Sequence, residues 1–248
     1  MLGDRSIPSV GITKKHFRLV LYRHVQTPPE TERVHVVAAE PPNFVGRAEA
    51  IAHLNPVAQQ GAKAIVIQGE GGLGKTTLAQ HYLQSQGFEI VLELLMAKET
   101  QNVTPVERVV EEWLKHDFQE EPGLAFGITL ERLKRHLRRR RVGILIDNLE
   151  PALDTHGQLV PDHRNYLELL RILSDGQGQG VTLITSRDRL CEASVTLYHY
   201  RLPGLGRSPW QQFFEHQKIP IHGPTLAAMH HAYGGNAKAM GILAGAIQ

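Results

Sequence analysis

The chain has 248 residues, a formal net charge of +2 and a single cysteine, Cys191. That length can bury one sizeable α/β core with room for a partial second domain, a lone cysteine excludes an internal disulfide framework, and the near-balanced charge leaves no global electrostatic footprint for nucleic acid. No run of about 18 apolar residues is present to span a bilayer, and residues 1–30 lack the order of a signal peptide, so a cytoplasmic chain with no membrane partner is expected.

Residues 1–40 read as an N-terminal extension or linker, with an alternating stretch at 16–25 and a polar, proline-bearing stretch at 27–32. From Pro41-Pro42 and Phe44-Val45-Gly46-Arg47 onward the sequence becomes periodic, and the main domain is placed at 41–203. A helix is expected at 48–60, then an apolar run at 64–68 of the kind that forms a strand buried on both faces, and a helix at 76–86. Further apolar runs at 89–95, 142–146, 181–185 and 195–202 are separated by segments long enough for helical crossovers, which implies a mostly parallel sheet. Leu130, Leu133 and Leu137 mark one crossover as an amphipathic helix. After Pro203-Gly204 the pattern is helical around 210–214 and over 226–247, so residues 204–248 are read as a small helical lobe.

Between the strand at 64–68 and the helix at 76–86 lies Gly69-Glu70-Gly71-Gly72-Leu73-Gly74-Lys75-Thr76. Its spacing, G-x-x-x-x-G-K-[ST], is that of a phosphate-binding loop: the glycines let successive N–H groups turn inward around an anion at a helix N-terminus. Lys75 is then placed for the β and γ phosphates, Thr76 as a magnesium ligand, and Thr77 for the α-phosphate. The expected ligands are ATP or ADP with Mg²⁺. A neighbouring strand should bring a second metal-side oxygen, and Ile144-Leu145-Ile146-Asp147 has that form. Asn148 can orient a water but cannot accept its proton; Glu150 is the candidate base, with a solvent-facing glutamate as the alternative. Arg187, just beyond another apolar strand, is placed to sense a γ-phosphate through charge-assisted hydrogen bonds, or else to form a surface ion pair.

Other features carry less. Arg138-Arg139-Arg140-Arg141, with Lys134 and Arg135, reads as a solvated helix end where cations favour the dipole, with phosphates of nucleic acid or a trans-acting arginine as the alternatives. The histidines lack zinc spacing, and Trp113, Trp210 and Phe213 are read as core.

The ordered set resembles the NB-ARC branch of the STAND signalling ATPases over residues 43–248. Phe44-Val45-Gly46-Arg47-Ala48-Glu49 is similar to that family's first motif, and the resemblance implies that backbone groups near Val45 meet the adenine and that Arg47 lies against the nucleotide. Ile146-Asp147-Asn148-Leu149-Glu150, Leu183-Ile184-Thr185-Ser186-Arg187 and Leu202-Pro203-Gly204-Leu205 are similar to its second nucleotide motif, its sensor strand and its exit into the lobe. Ala237 stands where the family has a lid proline. The fold implied is a P-loop three-layer α/β sandwich with a five-stranded parallel core and a helical lobe. The function implied is an ATP/ADP switch with slow hydrolysis, forming a homo-oligomer on activation and controlling flanking effector and sensor domains; nucleic acid is not an expected partner. The alternatives are an AAA-type motor or loader on nucleic acid and a scaffold that binds nucleotide without turnover.

Overall fold

The chain divides into two units, Met1–Ala39 and Glu40–Gln248. The computed structural model describes residues 44–96 and 102–247, all within the second. The segments at 16–25 and 27–32 lie outside the described residues. In chain order the elements are α1 (Ala48–Gln59), β1 (Ala64–Gln68), α2 (Lys75–Ser85), β2 (Ile90–Leu95), α3 (Val106–His116), α4 (Phe126–Arg139), β3 (Val142–Asp147), α5 (Tyr166–Leu173), β4 (Val181–Ser186), β5 (Tyr198–Arg201), α6 (Arg207–His216), α7 (Gly223–Tyr233) and α8 (Ala237–Ile247).

The five strands form one sheet in the order β2-β3-β4-β1-β5, and every pairing is parallel. Central strands of such a sheet are covered on both faces and therefore tolerate few polar residues. In β1, Ala64, Ile65, Val66 and Ile67 are all buried, and their side chains alternate between two cores. Ile65 and Ile67 join Leu145 and Leu183 beneath Leu54 of α1 and Leu78 and Tyr82 of α2. Val66, Ile144, Ile146 and Ile184 face the other way, toward Val110 and Trp113 of α3, Leu133 of α4 and Leu170 of α5. Leu130, Leu133 and Leu137 form the buried stripe of α4, as their spacing predicts. This is the expected three-layer sandwich with a five-stranded parallel core.

Two expectations about order and extent need correction. The sequence reading puts Asp147 at the end of a strand neighbouring the phosphate-loop strand, and Arg187 just beyond another. In fact β4 lies between β1 and β3, so Arg187 follows the intervening strand. Both β3 and β4 are short and almost wholly buried, so hydropathy does not distinguish which one sits at the centre. The run read at 195–202 supplies only four strand residues, Tyr198–Arg201. On one face of this strand His53 of α1 bonds the Tyr198 hydroxyl at 2.8 Å and stacks on Tyr200.

The helical lobe is made of α6, α7 and α8 around Trp210, Phe214, Leu226 and Met240, and Val45 from the start of the domain is part of the same cluster. The segment read as helical over 226–247 is broken at Gly234-Gly235, whose φ values of 58° and 72° lie in the left-handed region; the apolar pattern on either side concealed the break. The reason for glycine is steric as well as conformational. A Cβ on Gly235 would sit 2.2 Å from the Leu205 carbonyl oxygen, and one on Gly204 would sit 2.1 Å from that of Gly234. Leu205 N–H in turn donates to the Gly235 carbonyl at 2.8 Å. At these crossings the lobe is locked backbone to backbone onto the linker that leaves β5.

Gly235→Ala is therefore expected to destabilise the lobe by about 1–3 kcal/mol through combined strain and contact, whereas Gly176→Ala, at an ordinary φ with nothing within 4 Å of the new Cβ, should be close to neutral. Chemical denaturation followed by tryptophan fluorescence, with Trp210 inside the lobe, distinguishes the two; equal stabilities would remove the steric argument.

Candidate functional site

The phosphate loop leaves the carboxyl end of β1 and turns directly into α2. Gly72 and Gly74 have φ values of 83° and 88°, which is what lets consecutive N–H groups converge on an anion in place of a regular turn. Gly74 is the cap residue of α2, so the positive end of that helix faces the loop interior. Lys75 folds back inside the loop, its Nζ donating to the carbonyls of Gly69 at 2.7 Å and Glu70 at 3.0 Å. Burial pulls its pKa down from the ordinary value and the charge of Arg187 adds to this, while Glu150 and Asp147 oppose it. A cation held in a partly desolvated loop at a helix N-terminus is suited to bind an anion.

On the other side of Thr76 stands the carboxylate of Asp147, at the end of β3. The Thr76 hydroxyl donates to Asp147 Oδ1 at 2.6 Å, and the Thr185 hydroxyl, from β4, donates to the same oxygen at 2.6 Å. Among the described residues no hydrogen bond falls on Oδ2. Hydroxyl and carboxylate oxygens in this arrangement are the donor set of a hard divalent cation such as Mg²⁺. Together with the open glycine loop and the enclosed lysine, they fit a magnesium nucleotide.

Beyond Asp147 the chain makes a tight turn. Asn148 has a φ of 67°, its N–H donates to Thr185 Oγ1 at 2.9 Å, and the next N–H, of Leu149, donates to the Thr185 carbonyl at 2.9 Å. The turn delivers Glu150 to Arg187: Oε1 lies 3.1 Å from Arg187 Nε, and Oε2 accepts from the Arg187 backbone N–H at 3.3 Å. The guanidinium also lies beneath the loop, its central carbon 3.4 Å from where a Cβ on Gly71 would be. The site residues expected from sequence are thus brought to one end of the sheet, but Arg187 and Glu150 engage each other.

Arg47 is held by bonds within the protein. It is buried at 6% exposure, and its guanidinium donates to the carbonyl of Leu73 in the loop and, at 2.9 Å, to that of Pro203 at the lobe linker. Burial lowers its pKa from the ordinary value, with Tyr200 opposing. It ties the first motif, the phosphate loop and the lobe linker together.

A cavity of about 680 Å³ opens between the loop and the lobe. Its walls include Val45, Arg47, Gly72, Gly74, Lys75, Thr76 and Thr77 on one side and Leu205, Phe213, Gln217, Lys238, Met240 and Gly241 on the other. Phe44, beside Val45, is stacked on His81 at 3.9 Å between centroids. Phe213, read as core, is both core and wall.

Sequence reasoning missed three participants. Thr185 was passed over as part of a strand. Asn236 and Lys238 at the start of α8 reach the phosphate loop: Asn236 Nδ2 donates to the Gly71 carbonyl at 2.9 Å and Lys238 N–H to that of Gly72 at 2.9 Å. The Oδ1 of Asn236 caps α8 by accepting from Lys238 and Ala239. An asparagine just before a helical run is a cap signal; that its amide also touches a loop 165 residues away has no local signature.

The basic run lies elsewhere. Arg138 and Arg139 end α4 and Arg141 immediately precedes β3, which puts the run at the amino ends of the strands, opposite the phosphate loop. Lys134 and Arg138 pair with Asp175, Arg135 pairs with Glu120, and Arg141 lies over the Phe88 ring. Among the described residues no group of three or more potential metal-binding histidine, cysteine or acidic side chains is present, and no helix is long and apolar enough to cross a membrane.

An uncharacterised WD repeat-containing protein of Nostoc sp. is 26% identical over 225 residues, covering 83% of this chain; the chain spans only 18% of that relative's length. Among solved structures, Cdc6p from Pyrobaculum aerophilum has a TM-score of 0.54 at 14% identity, covering 81% of this chain and 61% of the other. A Walker-type ATPase of Pyrococcus abyssi has a TM-score of 0.54 at 12% identity, over 81% and 67%. A STAND protein with a tetratricopeptide repeat sensor from Pyrococcus horikoshii has a TM-score of 0.47 at 16% identity, over 78% and 28%. The sequence model of an AAA domain family matches residues 58–190, from the end of α1 through the turn after β4. That stretch holds the phosphate loop, Asp147, Glu150 and Arg187, and the chain belongs to this AAA domain family of P-loop ATPases.

Proposed function

We propose that this chain is the nucleotide-binding module of an ATP/ADP switch of the STAND NB-ARC type, with slow magnesium-dependent hydrolysis, whose lobe orientation is read by flanking domains. The observation that carries the proposal is the pair of hydrogen bonds from the start of α8 to the Gly71 and Gly72 carbonyls. A lobe bonded to the backbone of the phosphate loop feels the loop's displacement, so occupancy at the phosphates and the angle of the lobe share one free energy. The length of the Nostoc relative, of which this chain spans 18%, supports a module set among further domains. Assembly of copies of this chain on activation belongs to the same reading.

In this reading the inward N–H groups from Gly69 to Thr76 and the Lys75 ammonium bind the phosphates, with Thr77 at the α-phosphate. Val45 and the apolar wall around Met240 hold the base, and Arg47 braces the loop against the linker. Magnesium, held by Thr76 with Asp147 behind it, supplies neutralisation of the phosphate oxygens. Arg187 is the γ-phosphate sensor, restrained by Glu150 until that phosphate competes for it. Glu150, the candidate base, has both oxygens on Arg187, and Asn148 cannot act as a base, so proton transfer from an attacking water waits on release of Glu150. Positioning and charge still permit turnover at about 10⁻⁴ to 10⁻² per second, as in P-loop switches awaiting a partner's arginine.

Mass spectrometry of nucleotide released from denatured purified protein should find ADP, and calorimetry should find that Lys75→Ala weakens ATP binding by at least about tenfold through loss of the charge-assisted bonds. Unchanged affinity in that variant would overturn the site assignment. Arg187→Ala is expected to lower ATP affinity while sparing ADP; an equal fall in both removes the sensor role. Single-turnover hydrolysis should fall in the range above, and a rate of several per second without any partner would be that of a motor and not of a switch.

A further inference from the structure

We propose that Thr185 is a positioning residue for the metal-side carboxylate: its buried hydroxyl aims Asp147 at Thr76 and holds the turn that carries Asn148 and Glu150, so that cation binding, more than nucleotide binding, depends on it. The inference rests on the nucleotide-site reading above and concerns a residue that the phosphate-loop pattern does not include.

The placement follows from the sheet. Leu145 of β3 lies beside Leu183 of β4, and two residues further along each strand, on the same face, Asp147 lies beside Thr185. That face is the one under α2, because Leu145 and Leu183 share a core cluster with Leu78 and Tyr82. The insertion of β4 between β1 and β3 therefore puts a hydroxyl at the one point from which it reaches both the carboxylate and the turn.

Thr185 is 1% exposed. Its hydroxyl has one proton, and that proton goes to Asp147 Oδ1 at 2.6 Å. Its oxygen accepts the N–H of Asn148 at 2.9 Å, in a residue whose φ of 67° is uncommon outside glycine. Both functions of the hydroxyl are thus spent within the site. With Thr185 and Thr76 converging on Oδ1, the carboxylate is fixed in rotation. Outer groups that orient an oxygen ligand in this way commonly govern cation affinity. A residue that merely filled the core at this point would be replaced by valine, its near-isostere, without effect on the cation. As a hydroxyl node it is not replaceable, since valine leaves a buried N–H and a carboxylate oxygen each short of a partner.

The test compares the parent with Thr185→Val, Thr185→Ala and Thr185→Ser in the full chain. Three quantities are read: thermal stability, ATP affinity in Mg²⁺ and in EDTA, and Mn²⁺ affinity of the ADP-loaded protein by electron paramagnetic resonance. The expected result is a loss of about tenfold or more in Mn²⁺ affinity for the valine and alanine variants, with ATP affinity in EDTA unchanged and the serine variant restored to the parent's behaviour. Alanine leaves room for a water and decides the matter if valine does not fold. The proposal is overturned if the folded valine or alanine variant binds Mn²⁺ like the parent, if ATP affinity falls equally with and without Mg²⁺, or if serine fails to restore the cation affinity. A parent that binds ATP in neither condition overturns the nucleotide-site reading itself, an outcome distinct from each of these.

Discussion

A triphosphate removed from water must be surrounded by donors and cations that are already in place, because assembling them at the moment of binding would cost the ordering of several side chains. The loop between β1 and α2 meets this constraint only because it is gripped from three directions. Arg47 holds the Leu73 carbonyl from the start of the domain, the Arg187–Glu150 pair lies beneath Gly71, and Asn236 with Lys238 holds Gly71 and Gly72 from the lobe. The grips of Arg47, Asn236 and Lys238 use backbone carbonyls of the loop, which leaves its N–H groups for the ligand. The loop is short, and an ungripped glycine-rich segment of that length would have much more backbone entropy to lose on binding.

The same grips make the loop a mechanical junction. Arg47 reaches both the loop and Pro203, and a Cβ on Gly46 would lie 2.2 Å from the Pro209 side chain, so the start of the domain is packed on the lobe and bonded to the core. Backbone crossings at Gly204 and Gly235 make the lobe and its linker one body. The bonds that tie that body to the phosphate loop and the start of the domain include the two of Arg47 and the two from the start of α8.

The features that invite a different function are satisfied locally. Most of the charge of α4 is answered by Glu120 and Asp175, and exposed pairs of this kind contribute little to stability and are screened by salt. The helix end they occupy is at the amino edge of the sheet, whereas ligands of open α/β sheets bind at the carboxyl edge. His81 and His230, which add to the histidine count, are engaged with Phe44 and with the Leu205 carbonyl. Trp113 and Trp210 are core, as their helical positions suggest.

Much of this protein is legible in its sequence because the forces concerned are local. The glycine spacing of residues 69–76 dictates a loop that turns N–H groups inward, the apolar runs dictate buried parallel strands, and Leu130, Leu133 and Leu137 dictate the buried face of α4, each through backbone sterics or periodic burial within a few residues. Strand order is not local: β3 and β4 have interchangeable hydropathy, and only packing of the helices on both faces placed β4 in the centre and Thr185 beside Asp147. The break at Gly234-Gly235 was written in the glycines, yet its purpose, a backbone crossing with Leu205, exists only between distant segments. The bonds of Arg47, Asn236 and Lys238 join residues far apart in sequence, from 26 positions for Arg47 and Leu73 to 165 for Asn236 and Gly71 and one more for Lys238 and Gly72. A side chain's type and spacing determine what it can donate or accept. Which carbonyl it finds is decided by tertiary packing, because a hydrogen bond is directional and short-ranged and no periodicity along the chain encodes it.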